Sequence, residues 1–259
     1  MPEHNADLGL LVSAARDAGA IALRYFRRDP QVWDKSGDQG PVSEADLAVN
    51  DMLATRLRTA RPDYGWLSEE TPDTTDRLTA RRVFIIDPID GTRAFIDGQD
   101  SFAHSLAVVE DGKVIAAAVY LPAKDRMYSA TAQGPAMQDG RRIAASSARV
   151  AVGATVLTSK PNMAAGHWPF GVPGLDRSFR PSLAYRLCLV AEGRFDCMFA
   201  FRPTWEWDIA AGALIAERAG AMVSDGTGAA LRFNGADPRT PGVLVAPRGL
   251  HADLVSRRG

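Results

Sequence analysis

The chain has 259 residues, of which 46% are hydrophobic and 24% charged, and its formal net charge at pH 7 is −1. This length allows one large domain or two smaller ones with an ample core, and the composition is ordinary for a soluble globular protein. Since the net charge is close to zero, no overall field favours nucleic acid or an anionic membrane as a partner.

The first quarter of the chain predicts two helices joined by a loop. Apolar residues from Asp7 to Phe26 recur at helical spacing. Ser43-Glu44-Ala45-Asp46 fits a capping box that opens the second helix, and Arg61-Pro62 should end it. Between them, the polar and glycine-rich segment from Lys35 to Pro41 predicts a mobile loop. The expected buried face of the second helix consists of Leu47, Leu53 and Leu57.

A cytoplasmic location is expected from two features. The residues before Asp7 lack the basic and apolar regions of a secretory signal, and no apolar run approaches the ~18 residues that a membrane-spanning helix needs. The only two cysteines, Cys188 and Cys197, form no disulfide framework and are expected to be buried apolar residues.

The stretch Asp87-Pro88-Ile89-Asp90-Gly91-Thr92 directly follows a run, Val83–Ile86, that predicts a buried strand. Because Pro88 has no N–H group and a fixed φ, the strand ladder is expected to end there and the chain to turn. Gly91 lacks a Cβ, so another group can approach the backbone, and the next residues can start a helix whose N–H groups attract an anion. Hard oxygen ligands beside such a helix start suit Mg²⁺-assisted phosphate chemistry.

This hexapeptide also admits a simpler interpretation, in which Asp and Gly serve only the geometry of a strand-to-turn connection. Another phosphatase class, the haloacid dehalogenase-like enzymes, also ends a strand in an Asp-rich segment, but with the two aspartates two positions apart. Here the residue two before Asp90 is Pro88, which cannot be a nucleophile. An aspartyl-phosphate route is therefore not expected.

Residues 83–145 predict an antiparallel meander covered by the two N-terminal helices. Its later strands and turns are expected at Ser105–Val109, Asp111-Gly112, Val114–Tyr120, Met127–Ala130 and Asp139-Gly140.

Strands and helices alternate after residue 154, which predicts an α/β half. Its elements are expected to be a strand at Ala154–Ser159, a helix at Ala184–Glu192 ended by Gly193, a strand at Phe195–Ala200, a helix at Asp208–Ala219 ended by Gly220, strands near Ala221 and Gly242, and a helix at Leu250–Arg257. The fold class is therefore α+β. An N-terminal half, residues 1–145, would carry the metal-binding motifs, and a C-terminal half, residues 146–259, would contribute Asp208 and substrate contacts.

Three acidic sites follow from this order of elements. Glu69 and Glu70 come after a short strand, Gly65–Ser68, whereas Asp208 opens a helix. Each has a plain explanation alone: the glutamates as solvated loop charges, and Asp208 as a favourable residue at a helix N-terminus, worth at most about 1 kcal/mol. Together with the hexapeptide they form a set of oxygen ligands.

Taken together, these segments resemble the inositol monophosphatase family of Mg²⁺-dependent, lithium-sensitive phosphatases. The matching motifs, in order, are Leu67-Ser68-Glu69-Glu70, Asp87-Pro88-Ile89-Asp90-Gly91-Thr92 and Trp207-Asp208-Ile209-Ala210-Ala211-Gly212. The resemblance covers nearly the whole chain and implies the layered αβαβα sugar-phosphatase fold.

The resemblance also implies roles for individual residues, with two or three Mg²⁺ ions as cofactors. One ion would be served by Glu69, Asp87, the Ile89 carbonyl and the Thr92 hydroxyl, and a second by Asp87, Asp90 and Asp208. The substrate would be bound by Gly91, Thr92, Arg186 and Asp208, while Lys35 and Asp46 would lie behind the metal site. Glu70 is the less favoured ligand of its pair, because the family uses the first Glu.

The reaction expected from this resemblance is hydrolysis of a small phosphate monoester, with Glu69, Asp87 and Thr92 as the catalytic residues. A water activated by one ion, and oriented by Glu69 and Thr92, would attack in line, while another ion stabilises the leaving alkoxide.

Three segments resemble the CysQ-type 3'(2'),5'-bisphosphate nucleotidase branch of the family: Asp90–Ile96, Cys188–Asp196 and Pro203–Asp208. The interval from Asp196 to Asp208 is twelve residues, as in that branch. The inositol-specific branch has one residue fewer there and a Glu that contacts the sugar hydroxyls, where this chain has Ala200-Phe201. The expected reaction is therefore conversion of adenosine 3',5'-bisphosphate to AMP, with inositol-1-monophosphatase or histidinol-phosphatase activity as the alternative.

Two segments depart from the nucleotidase branch. Ser182–Leu187 replaces its Gly-Ser-x-Leu-Lys-Phe, so that Arg186 keeps the positive charge although Arg and Lys are not interchangeable. Residues 100–104 replace its Gly-Glu-Phe-Thr-Val. Lys160, Arg186 and Arg202 are candidates for binding a second phosphate, although each could equally be ordinary surface charge. Likewise, Trp205 or Phe201 could stack on a base or pack in the core.

The remaining expectations concern histidines, turnover and assembly. His104 and His167 fit no metal-ligand spacing and are expected to be structural. A non-enzymatic alternative is a degenerate member of the family that binds a phosphate ligand without hydrolysing it. The complete set of expected ligands argues against this alternative. The chain could be a homodimer, since the inositol phosphatases of the family are dimers, whereas many members of the nucleotidase branch are monomers.

Overall fold

The computed structural model describes residues 2–35 and 40–258. The centre of the loop expected from Lys35 to Pro41, residues 36–39, lies outside the described residues. The helices are α1 (Pro2–Tyr25), α2 (Glu44–Ala60), α3 (Thr92–Ile96), α4 (Leu183–Ala191), α5 (Glu206–Arg218) and α6 (Arg248–Ser256). Across the described ranges, no helix combines the length and the apolar character that crossing a membrane requires.

The first nine strands lie in the N-terminal part of the chain. They are β1 (Val32–Asp34), β2 (Pro41–Ser43), β3 (Gly65–Ser68), β4 (Arg82–Asp90), β5 (Ala103–Glu110), β6 (Lys113–Leu121), β7 (Arg126–Thr131), β8 (Met137–Gln138) and β9 (Arg141–Arg142). Strands β3 to β9 form one sheet in chain order, in which β3 and β4 are parallel and all later pairs antiparallel. The expected meander is confirmed.

The later strands are β10 (Thr155–Leu157), β11 (Asp176–Ser178), β12 (Cys197–Ala200), β13 (Thr204–Trp205), β14 (Ala221–Ser224), β15 (Arg239–Thr240) and β16 (Val243–Pro247). A five-stranded sheet has the order β11-β10-β12-β16-β14, with β10 parallel to both of its neighbours and β16 antiparallel to both of its own. Strands β13 and β15 form a separate antiparallel pair beside it.

Alternating side chains on the strands define five layers. On β4, Phe84 and Ile86 pack in the core under α1 and α2, whereas Val83 and Ile85 pack in the core that contains α4 and α5. Met198 of β12 joins that second core from the smaller sheet. The opposite face of the smaller sheet packs against α6 through residues such as Leu244, Leu250 and Leu254. The layered αβαβα fold is thus confirmed, with α4 and α5 between the two sheets.

Several local expectations need correction. Strand β4 continues past Pro88 to Asp90, because a bulge absorbs the proline instead of ending the ladder. Leu47 is exposed and does not share the buried face of α2 with Leu53 and Leu57. Helix α5 begins at Glu206, two residues before Asp208. Strands β1 and β2 pair antiparallel on either side of residues 36–39. The sequence analysis did not predict them, and all three residues of β1 are exposed, so no buried face marks the strand.

The division of the chain near residue 145 remains a prediction. The core between the sheets contains residues of both halves, for example Val83 and Val245.

Candidate active site

Three aspartates from two elements form the centre of the candidate site. Asp87 and Asp90 lie at the end of β4, and Asp208 lies in the first turn of α5. Each offers a carboxylate oxygen, and these oxygens all lie within 4.8 Å of one another. The sequence motifs predicted all three as metal ligands, and the structure brings them together.

The bulge in β4 explains how two residues three apart can join one cluster. On a regular strand, residues at positions i and i+3 point to opposite faces. Here Asp87 pairs with Ser105 and Asp90 with Ala103, so β4 carries one extra residue against β5. Ile89 consequently packs in the core under α1 and α2, and Asp90 shares the side of the sheet on which α5 lies.

Burial makes this cluster electrostatically costly. The pKa of Asp87 is raised well above its ordinary value by burial first and then by the charges of Glu69, Asp90 and Asp208. The pKa of Asp208 is raised for the same reasons. Among the described residues, the Oδ1 atom of Asp87 is buried without any hydrogen-bond partner. A divalent cation would satisfy that oxygen and neutralise the like charges, so the donor set fits a hard metal ion.

Asp90 is held by the start of α4, a contact that the motif did not reveal. Its carboxylate accepts hydrogen bonds from the Ser182 hydroxyl at 2.6 Å and from the backbone N–H groups of Ala184 at 2.6 Å and Leu183 at 3.2 Å. These bonds only partly offset the effect of burial, so the pKa of Asp90 is still raised. Ser182 is also the N-cap of α4, and a serine before an apolar helical run is the sequence signal that could have identified it.

Glu69 lies in the same cleft but outside the group of three aspartates. The Lys35 ammonium donates to its Oε1 atom at 2.7 Å and to Oε1 of Glu70 at 2.6 Å. Burial would lower the pKa of Lys35, but the two glutamates outweigh that effect and raise it. Burial and the Glu69 charge raise the pKa of Glu70 to about 7. Lys35 therefore contacts both glutamates directly.

Thr92 connects the hexapeptide to α2. Its hydroxyl lies 3.2 Å from both Oδ1 of Asp46 and the Ile89 carbonyl, and its single hydrogen can be donated to only one of them at a time. The other carboxylate oxygen of Asp46 accepts from the backbone N–H and the hydroxyl of Ser43, which completes half of the predicted capping box. Burial raises the pKa of Asp46 to about 6.

Gly91 is required for its backbone conformation, with φ at 97°. A Cβ there would meet its nearest protein atoms at 3.5 Å, which is an ordinary contact distance, so no protein atom crowds this position. The following helix α3 has only five residues, and its dipole is correspondingly small.

A cleft of about 620 Å³ opens above the aspartates. Arg186 and Arg202 line it, and Lys160 is not among the lining residues. Arg186 is mostly buried, donates to the Arg180 and Pro181 carbonyls, and lies with its guanidinium carbon 4.4 Å from the centre of the Phe179 ring. Burial lowers the pKa of Arg186 to about 10 against the attraction of Asp90, which still leaves it cationic at neutral pH.

The aromatic candidates divide between cleft and core. Trp205 lines the cleft and stacks on Trp207, with ring centres 4.6 Å apart. Phe201 packs instead against Phe199, with ring centres 4.8 Å apart and the rings nearly parallel. Of these two candidates, Trp205 is therefore the one that lines the cleft.

The histidines and cysteines take the places expected of structural residues. His104 is fully buried with Nδ1 against the Pro88 carbonyl, so it braces the bulge of β4. His167 packs against Phe201. Cys188 and Cys197 are both buried free thiols.

Comparison with known proteins identifies relatives over almost the full length of the chain. A sequence model of the inositol monophosphatase family matches residues 6–258. An inositol-1-monophosphatase of Rhizobium meliloti (strain 1021) is 34% identical over 236 residues, which cover 86% of this chain and 87% of that protein. A 3'(2'),5'-bisphosphate nucleotidase CysQ of Salmonella typhimurium is also 34% identical, over 226 residues that cover 85% of this chain and 90% of that protein.

The architecture is equally similar to a solved structure. The inositol monophosphatase (IMPase) of Thermotoga maritima superposes with a TM-score of 0.82 at 27% identity, covering 99% of this chain and 96% of that one. Because the two relatives above have the same identity to this chain, sequence similarity alone does not distinguish their substrates.

Proposed function

The chain belongs to the inositol monophosphatase family and is a phosphomonoesterase, and on that premise we propose that it hydrolyses a 3'(2'),5'-bisphosphate nucleotide. The reaction would convert adenosine 3',5'-bisphosphate to AMP. The observation that carries this proposal is the cleft itself, which has three clustered aspartates at its base and Arg186 and Arg202 on its wall.

Mg²⁺ is the cofactor on which this family depends, and the described residues fit it. The partnerless oxygen of buried Asp87 and the raised pKa values of the aspartates both call for a cation at this point. Two or three ions are proposed. The residues that would hold them are Glu69, Asp87, Ile89 through its carbonyl, Asp90 and Asp208.

When bound there, Mg²⁺ would offset the charge of the phosphate dianion, lower the pKa of a water and stabilise the leaving oxygen. The protein's own part is to position the reactants. If Thr92 donates its hydrogen to Asp46, its oxygen is left to accept a hydrogen bond from the attacking water. Glu69 would orient the same water, and the N–H groups of Gly91 and Thr92 would bind phosphate oxygens.

The second phosphate of a bisphosphate would bind to Arg186 and Arg202, the two arginines that line the cleft. Arg186 is fixed by its two bonds to backbone carbonyls, so little side-chain entropy is lost on binding. Arg202 is exposed at the rim and free to turn toward the ligand. Trp205 lines the cleft and would contact the base. A volume of about 620 Å³ lies in the range of small-molecule sites.

An inositol monophosphate is the second candidate, because the Rhizobium relative of that name is as similar as the nucleotidase. Where the inositol-specific branch has its carboxylate, this chain has Ala200-Phe201, whose side chains offer no acceptor to a sugar hydroxyl. Histidinol phosphate is kept as a further test compound.

Phosphate release with Mg²⁺ from adenosine 3',5'-bisphosphate, 3'-AMP, inositol 1-phosphate and histidinol phosphate tests the proposal. A charged hydrogen bond to the second phosphate predicts a kcat/KM about 10-fold or more higher for the bisphosphate than for 3'-AMP. Arg202→Gln should reduce that advantage, whereas Lys160→Gln, which removes an exposed cation outside the cleft lining, should not.

A preference for inositol 1-phosphate or histidinol phosphate would replace the proposed substrate while keeping the phosphatase. Absence of turnover on all four compounds would instead favour a ligand-binding member without catalysis.

A further inference from the structure

Arg77 is a buried arginine just after the segment that carries Glu69. Only 2% of its surface is exposed, and its guanidinium forms a two-pronged pair with Asp73, at 2.7 Å and 2.8 Å. Glu69 stands four residues before Asp73 in the same connection between β3 and β4. The arginine therefore anchors the C-terminal side of the loop that presents Glu69.

The remaining nitrogen of Arg77 reaches across the molecule. Its Nη1 donates to the side chain of Asn234 at 2.7 Å and to the Gly235 carbonyl at 2.9 Å. In return, the Asn234 amide donates to the Arg77 carbonyl at 3.3 Å. Arg77 and Asn234 are 157 residues apart in the chain. Their contact joins the connection between β3 and β4, here called the Glu69 loop, to the loop that precedes β15.

Glu206 holds the other side of the same loop. This carboxylate is 1% exposed, and its two oxygens accept from the backbone N–H groups of Asn234 at 2.6 Å and Gly235 at 2.9 Å. Glu206 is the first residue of α5, two positions before Asp208. The dipeptide Asn234-Gly235 is thereby clamped between a buried cation and a buried anion.

We propose that Arg77 and Glu206 are positioning residues that, through Asn234-Gly235, hold the Glu69 loop and the Asp208 helix at the separation that metal binding needs. We call Arg77, Glu206 and Asn234-Gly235 the latch. It rests on the proposed metal site, because Glu69 and Asp208 are the proposed ligands whose separation it would set. It extends the site to residues that lie outside the three motifs and do not touch the cleft.

The close packing of the latch supports a fixed distance. A Cβ on Gly65 of β3 would lie 3.1 Å from both Cα and Cβ of Arg77, so the arginine backbone rests directly on that strand. A Cβ on Gly235 would lie 2.9 Å from the Asp237 carbonyl and 3.4 Å from Oε1 of Glu206. Both glycines let the charged residues approach the backbone without intervening side chains.

The charges also indicate more than ordinary packing. A buried ion pair or charged network is often no more stabilising than apolar residues of the same volume, so stability alone is a weak explanation for this one. Partners behind a metal ligand typically change metal affinity about 10- to 100-fold when they are removed. A residue that sets the distance between two ligands should act on metal affinity in the same way.

The test measures Mg²⁺ affinity by calorimetry and by the rise in Tm with added Mg²⁺, neither of which depends on turnover. Arg77→Gln and Glu206→Gln should each weaken Mg²⁺ binding about 10-fold. At saturating Mg²⁺, kcat should return close to the wild-type value. Because both residues act through one dipeptide, their effects should not add. The Mg²⁺ affinity of the double variant should equal that of the single variant with the lower affinity.

Arg82→Gln is the matched control. Arg82 also bridges several groups, Glu3, Tyr64 and Glu110, but it lies at the other end of β4 from Asp90. Along the strand, Arg82 lies about 17 Å from Asp87 and about 26 Å from Asp90. Arg82→Gln should lower the Tm without changing Mg²⁺ affinity. Arg77→Lys keeps a charge near Asp73 but loses the fork, so it provides a milder variant should Arg77→Gln not fold.

The outcomes separate the latch from the metal site. If the wild-type protein binds Mg²⁺ and the Arg77 and Glu206 variants bind it equally well, the latch is wrong and the metal site stands. If Arg77→Gln and Arg82→Gln weaken Mg²⁺ binding to the same extent, the effect is general destabilisation and the latch is wrong too. If the wild-type protein itself binds no Mg²⁺, both proposals fall.

Discussion

Asp87 is a residue whose surroundings make sense only with a cation. It is buried among like charges with one oxygen unpaired. Without a bound cation this carboxylate would destabilise the fold, and with one it would serve as a ligand. We expect Asp87→Asn to abolish Mg²⁺-dependent turnover. The Tm measured in EDTA should stay the same or rise, because the substitution removes a buried charge from a repelling group.

Glu70→Gln is the control for that substitution. Glu70, like Glu69, accepts a hydrogen bond from Lys35, but it is not among the residues that line the cleft of the aspartates. Most of the turnover should therefore remain in Glu70→Gln. Wild-type activity in Asp87→Asn would contradict the assignment of Asp87 to the metal.

His104 makes the stability of the fold depend on pH. Burial lowers its pKa from 6.5 to about 4. A depressed pKa means that the unfolded chain takes up a proton before the folded one. We therefore expect the contribution of His104 to the free energy of unfolding to be complete above about pH 6.5. It should fall by about 3 kcal/mol as the pH falls toward 4.

Urea unfolding of the wild-type protein and His104→Gln between pH 4 and pH 8 checks this expectation. Titration of the carboxylates is common to both proteins and cancels in the difference, which should shrink as the pH falls. A difference that does not change with pH would show that His104 does not titrate in this way.

At the scale of elements, the end of β4 shows what the sequence could and could not predict. The hexapeptide predicted Asp87 and Asp90 as one group of ligands, and the structure places their carboxylates together with that of Asp208. It did not reveal the bulge, because Pro88 only excludes one ladder bond and leaves open whether the strand ends or bends. It also did not reveal that the positive φ of Gly91 requires glycine, a reason distinct from the close approach of another group inferred from the sequence.

Gly91→Ala tests that distinction. With φ at 97°, the alanine should cost about 1–2 kcal/mol and shift the N–H groups that would bind phosphate, so KM should rise along with a loss of Tm. Gly140→Ala is the control, because φ is 76° there and nothing lies within 4 Å of the added Cβ. It should lose a similar amount of Tm with unchanged kinetics. Identical kinetic effects in both variants would contradict a phosphate-binding role for this turn.

Other elements followed from local signals alone. Asp111-Gly112 and Asp139-Gly140 form the predicted turns, and Gly193 and Gly220 end their helices with positive φ. In contrast, Ser182 contacts Asp90 from 92 residues away, and Arg77 contacts Asn234 from 157 residues away. Such pairs depend on how layers pack, and no short-range pattern encodes them.

For the whole molecule, the two helices between the sheets are the decisive layer. Helix α4 brings Ser182 to Asp90, and α5 brings Asp208 to the same cluster. The helices touch where Gly212 of α5 meets Leu187 of α4, since a Cβ on Gly212 would lie 2.6 Å from the Leu187 Cβ. The spacing of this layer therefore sets the geometry of the aspartates.

Gly212→Ala should force α4 and α5 apart and destabilise the protein by about 1–3 kcal/mol. Gly9→Ala is the opposite case: Gly9 lies exposed in α1 with nothing within 4 Å, so alanine should stabilise the helix by about 0.5–1 kcal/mol. Thermal unfolding of both variants checks the signs. Equal stabilisation by the two alanines would mean that α4 and α5 are not in close contact.

Crystals grown with Mn²⁺, which prefers the same oxygen ligands as Mg²⁺, test the metal cluster most directly through anomalous scattering. The account predicts two or three anomalous peaks enclosed by Glu69, Asp87, Asp90 and Asp208, with one of them next to the partnerless oxygen of Asp87. Ions bound only elsewhere, or no peak at this cluster at millimolar Mn²⁺, would contradict it.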